Sequence, residues 1–181
     1  GFVSLAKANP GKMTFAYAST SQRVSSEMLA SFADIQMTGV SYKSGPNAMT
    51  DLIGGQVDMF MSSVPTVLGH VRTGKLRALA VTSLQRASEL PEVPTVAESG
   101  YPNFEAITWF GLVAPANTPN EIVDQINKQA NAAMSSPAFT AKLKSEGAVV
   151  IGGSPQAMAD FLKRDYDMWS KVVKESGARV D

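Results

Sequence analysis

The chain has 181 residues, 44% of them hydrophobic and 18% charged, which suits one compact core or two small lobes and is too apolar for a disordered segment. Sixteen basic and sixteen acidic residues cancel, so there is no broad electrostatic field to hold a nucleic acid or an anionic membrane surface, and any charged ligand must be attracted locally. The absence of cysteine excludes disulfide staples and thiolate metal sites but leaves the compartment open.

No run approaches the roughly 20 apolar residues that span a bilayer, and the opening GFVSLAKANPGK lacks the basic-then-apolar build of a signal peptide. Phe2, Val3, Leu5 and Ala6 have helical spacing before Pro10-Gly11, so the chain opens on the last turns of a helix and reads as a piece of a longer protein. KMTFAYA, residues 12–18, alternates as a strand does, and STSQRVSSEMLASFA then starts with hydroxyl residues and sets Val24, Met28, Leu29 and Phe32 at helical spacing. MTGVSY is a second strand, followed by the helix GPNAMTDLIGG with Pro46 near its first turn and Gly54-Gly55 at its end. QVDMFMS is a third strand, VPTVLGHVRTG a helix closed by Gly74, and KLRALAVTS a further buried strand. Strict alternation of strand and helix predicts an α/β fold built on a parallel sheet with right-handed crossovers.

Residues 84–102 break the pattern. They are proline-rich and of mixed charge, yet Leu90, Val93 and Val96 supply apolar anchors, which predicts an ordered loop. NFEAITWFGLVAPANTP is then an extended run of unusual length, and three helices follow, each opening at or beside a proline. In the last of them Met158, Phe161, Leu162, Tyr166, Trp169, Val172 and Val173 form one stripe that reads as core. The change of character places a lobe boundary near residues 108–111, dividing the chain into 1–108 and 109–181, with the extended run crossing between lobes.

The turns ASTSQ, KSGPN and SSVP would all lie at the carboxyl ends of parallel strands, the edge where open α/β sheets bind ligands. A helix N-terminus there presents unpaired N–H groups and about half a positive charge, enough to hold a carboxylate without Lys or Arg. Each turn alone is equally an ordinary capping sequence, since Ser, Thr and Asn are the usual caps. His70 has no second histidine to share a metal with, and no GxSxG elbow or nucleophile-base pair supports an enzyme. Asp51 and Asp58 have no spacing that suggests acid-base work. Trp109 and Phe110 suit a cleft wall or packing between lobes.

The segments SYKSGPNAMTDLIGGQVDMFM, VPTVLGHVRTGKLRALAVTS, LPEVPTVAESGYPNFEAITWFGLVAPANTP and GGSPQAMADFLKRDYDMWSKVVKESG, taken in that order and spacing, resemble the Bug family. These are the extracytoplasmic solute-binding receptors of tripartite tricarboxylate transporters, and the resemblance runs over residues 7–177. It implies a type II periplasmic binding protein fold, a periplasmic location, no cofactor, and capture of a small organic carboxylate between two lobes for the transporter's membrane components. It further implies that residues 1–108 are a complete second lobe and 109–181 only the C-terminal part of the first, whose N-terminal part has no counterpart here. Carboxylate binding would then be impaired, and the incomplete lobe would be open to homo-oligomerisation or domain exchange. A regulator's effector-sensing domain shares the architecture, but no helix-turn-helix or basic face accompanies it.

Family contacts map onto Ser19, Thr20, Ser21 and Gln22 after the first strand, onto Ser44, Gly45 and Asn47 after the second, and onto Ser62 and Ser63 after the third; Trp109 of the crossing run joins these candidates as an aromatic cleft wall. The first loop departs from the common family form in being shorter and without glycines. Ser62 stands where several members carry an acidic residue, which favours a plain carboxylic acid over a ligand with an ammonium group.

Overall fold

The computed structural model describes residues 1–145 and 147–176, apart from the side chains of Lys171, Glu175 and Ser176. Glu146 and residues 177–181, where the last lobe was expected to end, lie outside the described residues. The elements are α1 (Phe2–Ala8), β1 (Thr14–Tyr17), α2 (Thr20–Ala33), β2 (Thr38–Ser41), α3 (Gly45–Ile53), β3 (Met59–Phe60), α4 (Val64–Arg72), α5 (Asn120–Met134), α6 (Pro137–Ser145) and α7 (Pro155–Ser176). They fall into two compact units, one made of Gly1–Thr108 with the chain from Val172 on, the other of Trp109–Lys171.

In the first unit β1 is the middle strand of a wholly parallel sheet ordered β2-β1-β3. A central parallel strand is covered on both faces, and accordingly the adjacent Phe15 and Ala16 are both buried. Tyr17 lies opposite Ser41, and Ala16 opposite Phe60. The Asp58 carboxylate accepts from the Thr14 amide at 2.8 Å and the Thr14 hydroxyl at 3.0 Å, tying the approach to β3 to the start of β1. On β2 the Phe15 ring lies against the backbone at Gly39, where a Cβ would stand 2.9 Å from its Cζ.

The helices cover the sheet through the residues their spacing selects. α2 buries Val24, Met28, Leu29 and Ala33, with Ser26 beneath them donating its hydroxyl to the Gln22 carbonyl at 2.8 Å. Ala48 of α3 meets Ala16 and Val57, and Ala6 of α1 meets Met13, Ala33 and Ile35. Leu68 of α4 packs with Leu90 and Val93 of the proline-rich loop, each large aliphatic side chain stabilising the unit by about 1.5–3 kcal/mol. That loop is further ordered by a reciprocal pair. The Thr95 hydroxyl accepts from the Glu98 amide at 2.9 Å, and the Glu98 carboxylate accepts from the Thr95 amide at 2.7 Å and from Arg86 Nε at 2.9 Å.

Two expected strands differ. QVDMFMS supplies only Met59–Phe60 to the sheet. KLRALAVTS is not a strand: it forms a single parallel bridge, Val81 with Thr95. Its alternation is real, with Leu76, Ala78 and Ala80 half-buried and Arg77 and Leu79 exposed, but among the described residues no neighbouring strand completes a ladder, and alternation alone cannot supply one.

In the second unit Trp109 packs edge-on against Phe161, ring centroids 5.5 Å apart at 87°. Asp165 accepts from both indoles, from Trp109 at 3.0 Å and from Trp169 at 3.1 Å. Asn131 of α5 holds the peptide of Gly153 ahead of α7, accepting from its amide and donating to its carbonyl, both at 2.9 Å. The stripe on α7 expected as core is not one. Met158, Phe161, Trp169 and Val172 are half-buried, Leu162, Tyr166 and Val173 are exposed, and α5 and α6 bury no residue. An amphipathic face needs a layer opposite it, and among the described residues this unit supplies only one side.

Candidate functional site

Because the sheet is wholly parallel, β1, β2 and β3 all end at the same edge, and each runs directly into a helix. β2 and β3 flank β1 on opposite sides, so the chain reverses its direction of travel across the sheet. A crevice opens outside the carboxyl ends at such a switch point. With neighbouring strands about 4.8 Å apart, the starts of α2, α3 and α4 fall within about 10 Å along one edge. Nine of the sequence-predicted contacts therefore share one rim: Ser19, Thr20, Ser21 and Gln22 at β1–α2, Ser44, Gly45 and Asn47 at β2–α3, and Ser62 and Ser63 at β3–α4.

The three turns are built differently. At α2 the N-cap Ser19 is extended (φ −151°, ψ 158°), and its hydroxyl accepts from the Gln22 amide at 3.4 Å. Ser19 and Ser21 share a hydroxyl-hydroxyl bond of 3.1 Å, and the Gln22 side-chain carbonyl accepts from the Ala18 amide at 2.8 Å. Gln22 therefore has its acceptor spent on the turn itself. The amides of Thr20 and Ser21 have no backbone partner among the described residues.

At α3 and α4 the caps Ser44 and Ser63 make no capping bond to their own helices. Ser63 instead shares a 2.8 Å bond with the Thr66 hydroxyl. Proline follows in the first turn of both, Pro46 and Pro65, removing one donor while leaving the amides of Gly45, Asn47 and Val64 with no backbone partner among the described residues. Ser44, Gly45 and Ser62 are half-buried, and Asn47 and Ser63 exposed. A capping serine normally closes on the second or third amide of its helix. Two of the three decline to do so.

Sequence reasoning passed over two neighbours of this rim. Tyr17 ends β1, and the Arg23 guanidinium lies 5.5 Å from its ring centroid while Arg23 Nε binds Glu27 at 2.9 Å. The i,i+4 spacing of Arg23 and Glu27 was a readable signal. Tyr42, at the approach to Ser44, donates to Asp51 at 2.9 Å, and burial followed by that carboxylate raises its pKa above the ordinary phenol value. Asp51 and Asp58 are thus structural acceptors. Among the described residues no cluster of His, Asp and Glu could hold a metal ion, and no helix is long and apolar enough to cross a membrane. Trp109 belongs to the other unit, where its indole N–H is already bound to Asp165.

Residues 1–178 match the model of the tripartite tricarboxylate transporter family receptor. The protein of the tcbD-tcbE intergenic region of a Pseudomonas species is 40% identical over 173 residues, 94% of this chain and 52% of that protein. BugT of Bordetella pertussis is 33% identical over 180 residues, 98% of this chain and 55% of its own length. This chain thus spans about half the length of these relatives. A third, from the clcB-clcD intergenic region of Pseudomonas knackmussii, is 36% identical over 155 residues, 85% of this chain and 92% of that protein. Among solved structures, R. palustris Rpa4515 with adipate superposes with a TM-score of 0.86 at 32% identity, over 97% of this chain and 60% of that one. The periplasmic binding protein BugD gives 0.82 at 32%, over 97% and 60%. MatC from Rhodopseudomonas palustris with bound malate gives 0.80 at 27%, over 95% and 60%. The strand order, the shared rim of helix N-termini and these matches lead to one conclusion: the chain has the α/β fold of the periplasmic binding proteins and belongs to the receptor family of the tripartite tricarboxylate transporters.

Proposed function

We propose that the first unit is one wall of a receptor site for a small organic carboxylate, handed on to the membrane components of a tripartite tricarboxylate transporter from the periplasm. The observation that carries the reading is the single rim on which Thr20, Ser21, Gly45, Asn47 and Val64 keep amides without backbone partners among the described residues, while Ser44 and Ser63 make no side-chain capping bond. Helix N-termini hold anions through such amides and the positive end of the helix dipole. The ligands named for the solved relatives, adipate and malate, are both dicarboxylic acids. Residues 109–181 are read as part of a second lobe.

Titrating isotopically labelled chain with adipate, followed by amide NMR, tests the reading. Shifts concentrated at Thr20, Ser21, Gly45, Asn47 and Val64, absent with the uncharged adipamide, are expected. Shifts elsewhere, or equal shifts with adipamide, overturn it. Tighter binding of an amino acid than of its deaminated analogue overturns the preference for plain acids.

A further inference from the structure

The three helix starts on the rim are fastened by different means. α2 is held by its own cap, Ser19 on the Gln22 amide, and α4 by the hydroxyl pair of Ser63 and Thr66. At α3 the cap residue Ser44 makes no side-chain capping bond. Pro46 stands second in α3 and has no N–H, so a Ser44 cap could close only on the third amide, that of Asn47. Closing there would consume a donor that otherwise has no backbone partner among the described residues.

What ties α3 to the sheet beside this turn is Tyr42. Its amide donates to the Tyr17 carbonyl at 2.9 Å, carrying the pairing of β1 with β2 one residue past β2. Its ring packs with Ala16, Ala48 and Val57, and its hydroxyl donates to Asp51 Oδ2 at 2.9 Å. Asp51 lies in the last turn of α3, where the negative end of the helix dipole disfavours a carboxylate and no basic residue offsets it. A residue that breaks its local rule in this way needs a compensating use, and the phenol supplies one. Burial and then Asp51 hold the phenol pKa above its ordinary value, so the hydroxyl remains the donor. The contact of Ala48 on Ala16 brings helix and strand close but offers only methyl groups. Such a contact sets no direction, whereas a hydroxyl-carboxylate bond does.

We infer that Tyr42 and Asp51 are positioning residues: their bond sets the pitch of α3 on the sheet and so places the Gly45 and Asn47 amides on the rim, in place of a Ser44 cap. The loop that the bond closes, residues 42–51, contains the whole turn, and the bond itself engages none of the turn's amides. The helix start is thereby fixed while its donors stay free. The consequence for binding rests on the carboxylate reading of the rim, whereas the placement of the amides can be read without a ligand.

Tyr42→Phe keeps the ring and removes the hydroxyl, Asp51→Ala removes the acceptor, and Asp51→Asn restores one. Residual dipolar couplings on the labelled, ligand-free chain are expected to change at Gly45 and Asn47 in the two breaking variants, to match the parent at Thr20 and Val64, and to return toward the parent in Asp51→Asn. In an adipate titration both breaking variants are expected to bind roughly 10-fold more weakly, the loss of one hydrogen bond to a charged group, with the double variant no weaker than either. At saturation the shifts at Gly45 and Asn47 are expected to shrink while those at Thr20, Ser21 and Val64 persist. A bond that only stabilised the fold would lower the melting temperature without moving the couplings of the folded chain. Unmoved couplings in the breaking variants, additive losses, or an Asp51→Asn no better than Asp51→Ala overturn the inference. If Tyr42→Phe does not fold, the two Asp51 variants make the same comparison. A parent chain with no adipate-dependent shift at the rim overturns the carboxylate reading instead, and the couplings still decide the placement.

Discussion

Replacing Thr20 by proline separates the helix from the anion it is proposed to hold. Thr20 is the first residue of α2, and its amide has no backbone partner among the described residues. Proline is favoured at that position because its missing donor is one the helix does not use. The preceding Ser19, at ψ 158°, already has the extended backbone that a residue before proline adopts. The Ser19 cap bond runs to Gln22 at 3.4 Å and is untouched, so helix stability is expected to stay level or rise by about 0.4–1 kcal/mol. A carboxylate that used the amide loses a charge-assisted hydrogen bond worth about 1.5–3 kcal/mol, a weakening of roughly 10- to 150-fold. Thr20→Val keeps the amide and removes only the hydroxyl, so it isolates the backbone contribution. The assay is the adipate titration read at the Gly45 and Val64 amides, with the melting temperature measured in parallel. Unchanged affinity in Thr20→Pro at an undiminished melting temperature refutes the backbone grip at this turn.

Other substitutions test the scaffold. Both tryptophans of the chain donate to Asp165, so Asp165→Ala leaves two indole donors without their acceptor and is expected to destabilise the second unit by about 1–3 kcal/mol, read as a red shift and an earlier melt in tryptophan fluorescence. Gly39→Val places a side chain where a Cβ already stands 2.9 Å from the Phe15 ring and is expected to cost about 1–3 kcal/mol by overpacking, measured by urea denaturation. Asn131→Ala removes the bond to the Gly153 amide and one of two to its carbonyl, leaving the Asn127 side-chain amide on that carbonyl at 2.9 Å, and is expected to raise amide exchange at the start of α7 without altering exchange in β1. The Glu98 pKa is lowered, first by the Thr95 amide and then by Arg86. A depressed carboxylate adds stability above its unfolded pKa and loses it as pH falls through the folded one. Glu98→Gln is therefore expected to melt earlier than the parent at neutral pH, with the gap closing in acid, below the ordinary value of 4.5.

Local grammar was legible where a segment carries its own instruction. Ser19 ahead of Thr20, Pro46 and Pro65 in first turns, and the spacing of Val24, Met28 and Leu29 mark helix starts and buried faces without reference to any neighbour. Leu90, Val93 and Val96 likewise announced an ordered loop and are buried. What failed depends on partners distant in the chain. KLRALAVTS alternates as a strand should, but a strand exists only against another strand, and residues 76–80 have none among the described residues. The α7 stripe has the period of a core helix, but burial needs an opposing layer, and the sequence of a helix cannot state whether one is present.

The same distinction bears on the rim. Serine before a helix is ambiguous in sequence because capping and ligand binding call for the same residue. Geometry separates the two uses, since a hydroxyl closed on its own helix is spent. Ser19 is spent in this way, on Gln22 at 3.4 Å. Ser44 is not, while Ser63 reaches no amide of α4 but is engaged by the Thr66 hydroxyl on that helix. In both α3 and α4 the proline after the cap removes a donor the cap could have taken and fixes the backbone around the donors that remain. Pro46 and Pro65 thus trim each helix start to a few fixed amides, the donors on which the proposed grip on a carboxylate rests.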